Sequence, residues 1–168
     1  MNQMPAATMI VRSNELVEKV ERLDGVSVDE LTTRASTMVD KATTNYEIWV
    51  QEDLRKLRNA VGKLSDSHQQ QAANIAAIYE IAADIGDQGS VCGYQLVTVV
   101  AGLLCKFIDG VCHLDEREIT LVETHVDSLH TILAQRIRDG NTAPDQYLVR
   151  ELESAVSRLR KERPILRN

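Results

Sequence analysis

Aromatic side chains are scarce in this chain, at 4% of 168 residues with one Trp and one Phe, and there are only three prolines. A core must therefore come from Leu, Val, Ile and Ala, a palette that suits helices better than a β-sandwich. No stretch alternates apolar and polar residues between hairpin turns, which argues against a β fold. Cysteine is sparse as well. Cys92, Cys105 and Cys112 are odd in number and lack CxxC spacing, so neither a disulfide framework nor a zinc site is indicated, and buried reduced thiols are expected. The longest apolar run, from Leu96 past Cys105, stops at Lys106 and is too short to cross a bilayer. The N-terminal MNQMPAATMIVR has no basic segment ahead of a sustained apolar run, so it does not read as a signal peptide. A cytoplasmic protein without a membrane partner is expected. Basic charge is also in deficit: the net charge is −6 and the Lys and Arg residues are scattered, which argues against nucleic acid as a partner.

What remains is an ordinary globular composition, 43% hydrophobic and 26% charged, at a length that favours one domain. Residues 1–26 read as a loose terminus with a short helix from Asn14 to Leu23, capped by Ser13. Ser27 and Glu30 have the form of a capping box. From there a helical pattern runs to about Leu64, carried first by Leu31, Ala35, Met38 and Ala42, then by Val50, Leu54, Leu57, Val61 and Leu64. A sideways shift near Trp49 is the drift expected of a near-heptad repeat on a straight helix. Two readings stay open: one long helix whose first half pairs with another chain, or two helices with a break near Thr43–Asn45.

After a turn at Ser65–Ser67, a helix is predicted from about His68 to Val91, with Ile75, Ile78, Ala82 and Ile85 inward. Gly93 fits the left-handed position just past its end. A nearly all-apolar helix follows, from Tyr94 or Gln95 to about Asp109. Asp115 with Glu118 forms a second capping box, opening a helix to about Asp139 that Gly140–Asn141 terminates. Thr142 or Ala143 caps a last helix with Pro144 in its first turn and Leu148, Leu152, Ala155, Val156 and Leu159 inward. The expected fold is all-α: an antiparallel four-helix bundle over residues 27–164, an additional N-terminal helix, and a tail at 165–168.

The least charged window, Ile78 to Ile108, is where chemistry has to be sought. Its segment IAADIGDQGSVCGYQLV resembles the core of the histidine-containing phosphotransfer (HPt) domain family. There, one bundle helix carries a phosphoacceptor His, with a hydrophobic residue two positions on, Lys or Arg three on and Gly four on. A further Gly then starts the turn into an apolar helix. Asp84, Ile85, Gln88, Gly89, Gly93, Tyr94, Leu96, Val97 and Thr98 match that frame, over about a fifth of the chain.

Three positions depart from it. Ala83 stands where the acceptor His belongs, Gly86 where the cation belongs, and Asp87 where the Gly belongs. Ala83 offers no nucleophile, Gly86 removes the charge that would steady a phosphoryl group, and Asp87 places an anion where one would approach. The resemblance therefore implies a degenerate, non-catalytic relative: an adaptor of a bacterial two-component or chemotaxis-type phosphorelay. It would bind a response-regulator receiver domain or a histidine kinase through a flat face made by Ala83, Gly86, Asp87, Gly89 and Ser90.

No cofactor or metal site is implied. Cys112 and His113 are adjacent but have no second ligand pair. His68, His113, His125 and His130 lie outside any HPt-like frame. His125 and His130 read as half-buried packing residues. Phosphate-loop, dinucleotide and hydrolase signatures are absent, so no enzymatic activity is expected. Two alternatives remain: a helical oligomerisation module, with a homodimer through the long helix at Leu31 and Met38, or an active phosphotransfer protein using a non-standard His.

Overall fold

The computed structural model describes residues 27–64 and 70–163. The expected Asn14–Leu23 helix, the Ser65–Ser67 turn and His68 fall outside them. Two compact units are distinguished, residues 1–40 and 41–168. Five helices, and no strand, occur among the described residues: α1 (Val28–Gly62), α2 (Gln71–Val91), α3 (Gln95–Ile108), α4 (Glu116–Ala134) and α5 (Ala143–Glu162). The all-α class follows from the helix-forming palette and the 3.6-residue stripes.

α1 is continuous across Thr43–Asn45, so the two-helix reading fails there. Nothing in the segment breaks a helix: it holds no Pro or Gly before Gly62. At its start Ser27 Oγ accepts from the Glu30 N–H at 3.1 Å. The Glu30 carboxylate pairs with Arg34 one turn on, at 2.7 Å. The two expected stripes have different fates. Tyr46, Val50, Leu54, Leu57 and Val61 are buried, whereas Leu31 and Met38 are 46% and 74% exposed.

α3 is the centre of the 41–168 unit and packs against α2, α4 and α5. Val97, Val100, Leu104 and Phe107 have no exposed surface. Burying each such side chain is worth roughly 1.5–3 kcal/mol, so this apolar helix organises its neighbours. The turn into it is a Schellman closure. Gly93 sits at φ +80°, the Tyr94 N–H reaches the Gly89 carbonyl at 2.8 Å, and the Gly93 N–H reaches Ser90 at 3.3 Å. Only glycine adopts that conformation without a Cβ penalty.

α4 starts at the expected box, with the Asp115 side chain on the Glu118 N–H and the Glu118 carboxylate on the Asp115 N–H. It ends earlier than expected, at Ala134 instead of about Asp139. Arg136 takes the left-handed conformation at φ 53°, and its N–H bonds to Leu133 at 3.2 Å while that of Ile137 bonds to Ile132 at 2.9 Å. This is the same closure built on a non-glycine residue, and the Arg136 guanidinium holds Glu47 of α1 at 3.2 Å. Gly140, at φ 63°, bends the connection to α5 instead of ending α4. Thr142 caps α5 in a reciprocal box with Asp145. Of the stripe expected inward on α5, Leu152 and Val156 are buried, while Leu148, Ala155 and Leu159 are half-buried.

Candidate functional site at the α2–α3 hairpin

The hairpin closes tightly because α2 presents glycines to α3 and α1. A Cβ at Gly86 would lie 3.1 Å from the Ala101 Cβ, and one at Gly89 would lie 3.0 Å from the Tyr46 hydroxyl and 3.3 Å from Val97. Polar groups fasten the same seam. Thr98 Oγ1 donates to the Gly86 carbonyl at 2.9 Å, and the Tyr46 hydroxyl donates to the Ile85 carbonyl at 3.1 Å. Ala82 and Ile85 complete the buried stripe.

The five residues expected on one flat face are thereby divided. Gly86 and Gly89 are buried in helix–helix contacts, Ala83 is half-buried, and Asp87 and Ser90 are exposed. Packing favours the small residue at 86, since the Cβ of a lysine there would crowd the Ala101 Cβ at 3.1 Å. The face open to solvent is accordingly Ala83, Asp87 and Ser90, extended by Glu80 and Asp84, which are exposed on the same helix. The spacing carried a signal for this division: Ala82, Ile85 and Gly89 step by three and four, and Gly86 lies one turn before Gly89 on the α3 side.

The thiols and phenols around the seam are held protonated. Burial pushes the Cys105 thiol up to about 11, with the Asp87 charge adding to it, and its Sγ lies 3.7 Å from the Tyr79 carbonyl oxygen. Burial raises Tyr46 and Cys92 as well. Tyr94 is raised by burial and by its 2.5 Å hydrogen bond to Glu47, with Arg138 stacked 5.3 Å from its ring centroid. Such groups pack; they are not poised as nucleophiles. Of the thiols expected to be buried, only Cys92 is; Cys105 is half-buried and Cys112 exposed, and all three are free.

The histidines separate too. His125 is fully buried, not half-buried, and so out of reach of a phosphoryl donor; His130 is half-buried and His113 exposed. His125 Nδ1 lies 2.7 Å from the Leu121 carbonyl, which fixes the proton on Nδ1 and leaves Nε2 as a buried acceptor with no hydrogen-bond donor. Burial lowers its pKa.

A cleft of about 680 Å³ opens between the α3–α4 connection and the end of α5, with Cys112 and His113 on its wall. Four of its charged groups are engaged with one another. Arg163 donates to Glu118 and to the Phe107 carbonyl while lying 4.8 Å from the Phe107 ring centroid, and Arg117 pairs with Glu162 at 2.9 Å. No cluster of three or more metal-ligating side chains occurs among the described residues. None of the described helices is long and apolar enough to cross a membrane. Comparison with protein-family models, curated proteins and solved structures finds no match.

Proposed function

We propose that this chain is a non-catalytic signalling adaptor, a helical module that binds a receiver domain or histidine kinase through the outer face of α2. What carries the reading is the hairpin itself. Ala83 occupies the position at which the HPt-like frame places a phosphoacceptor, on a helix edge that borders solvent, and beside it stand the small Gly86, the anionic Asp87 and no cation of α2. Such a surface can dock but has no means of transferring a phosphoryl group.

The test is calorimetric binding of the full chain to the receiver domains and kinases of its own cell, repeated with Ala83→Trp and Ser90→Trp. A bound partner whose affinity falls at least tenfold in both variants, with unfolding curves unchanged, is the expected result. Undiminished binding in both variants overturns the placement of the face. Incubation with a phosphorylated receiver should leave no acid-labile phosphate on the chain.

A second reading, self-association through the first half of α1, is favoured by one observation: Leu31 and Met38 lie exposed on an unbroken helix. Light scattering should then show a dimer that Leu31→Asp or Met38→Asp dissociates.

A further inference from the structure

We infer that two copies of this chain pair along α1 as parallel helices in register, with Asn45 of one copy facing Asn45 of the other. This rests on the self-association reading and names the partner's orientation and the residue that sets it. From Val28 to Trp49 a row steps by three and four through Leu31, Ala35, Met38, Ala42 and Asn45, the spacing at which two helices stay in contact. Every position of the row is exposed, on one unbroken helix. None of the six charged residues in that span stands in it.

The row is a different face from Tyr46, Val50 and Leu54, which are already buried. Polar groups beside it are engaged with their own helix. Thr32 Oγ1 donates to the Val28 carbonyl at 2.8 Å, and Arg34 pairs with Glu30 at 2.7 Å. Covering the row therefore strands neither of them.

Asn45, the one polar member, decides what covers the row. An amide donates and accepts, so two of them in one layer satisfy each other, whereas an apolar residue opposite leaves the amide unpaired. Parallel helices in register set Asn45 against its own copy. The two antiparallel alignments with the longest overlap set it against Val28 or Ala35 instead. Charge points the same way. Arg34 and Lys41 flank one edge of the row, and antiparallel helices bring those edges together, cation against cation. Parallel helices keep them on opposite edges of the pair. That orientation also brings to the same end the α2–α3 hairpin that the Tyr46 hydroxyl fastens to each α1.

The test adds two arms to light scattering of the full chain. In a Cys112→Ser background, which removes the exposed thiol, Ala35→Cys in the row is oxidised mildly beside Thr33→Cys on the opposite face. Ala35→Cys should give a cross-linked dimer about tenfold faster or more, since a disulfide needs its two Cα atoms close. Donor- and acceptor-labelled chains then report mixing. The unaltered chain and Asn45→Leu should form far fewer mixed pairs than the statistical half, because the mixed layer strands an amide. A monomer by light scattering removes the self-association reading and the inference together. A dimer whose Ala35→Cys variant cross-links no faster than Thr33→Cys, or that mixes statistically with Asn45→Leu, overturns the parallel register and leaves self-association standing.

Discussion

The buried acid of α4 and the exposed acids of α2 receive opposite treatment from the same chain. Glu118 is 6% exposed, yet every part of it is matched: one oxygen accepts from the Asp115 N–H and the other from Arg163. Glu80, Asp84 and Asp87 are exposed and have no matching charge among the described residues. A buried carboxylate has to be paired for the chain to fold, whereas an exposed one can remain in water until something else pairs it. The first arrangement builds the fold, and the second leaves charge on the surface.

Breaking the paired acid should have the largest effect. Arg163→Ala strands Glu118 in the interior and should lower unfolding free energy by about 3–5 kcal/mol, read from chemical denaturation. Replacing both partners, as E118Q/R163M, should recover part of that loss. The inner face of α2 comes next. Gly86→Lys, which puts a cation where the HPt-like frame has one, should cost about 1–3 kcal/mol through overpacking against Ala101. Ala83→Lys, half-buried beside it, should cost less.

How much of this was legible in the sequence depends on how local each signal is. The caps at Asp115 and Thr142, the glycine closure at Gly93 and the inward stripe of α2 were all readable, because each is fixed by residues within one helical turn. The end of α4 was not: a left-handed Arg136 has no sequence flag, and its partner Glu47 lies far away on α1. Glu118–Arg163 was equally hidden, spanning 45 residues between a cap and a helix end. The five-residue face was only partly legible. A frame borrowed from a family gives register along a helix, but the Ala101 and Tyr46 contacts decide which residues are interior.

A smaller effect distinguishes the core from the surface by pH. His125 has its pKa lowered by burial from the ordinary value of 6.5, so the folded state resists a proton that the unfolded chain accepts. Stability is therefore whole above pH 6.5, falls as pH drops below it, and levels off only below the folded-state pKa. His125→Leu should flatten that limb of a stability-against-pH profile between pH 7 and 5, and its removal of the orphaned Nε2 should leave neutral-pH stability equal or higher. The smallest effect is on α2. E80Q/D84N/D87N should raise stability by about 0.5 kcal/mol at low ionic strength, a gain that salt erases. A loss instead would mean that these carboxylates serve the fold.

The most direct measurement is a backbone amide NMR titration of the full chain with a receiver domain or histidine kinase of its own cell. Shifts concentrated on Glu80, Ala83, Asp84, Asp87 and Ser90, with α4 and α5 unmoved, are the predicted result. Shifts confined to α4 and α5, with the α2 face silent, would contradict the account.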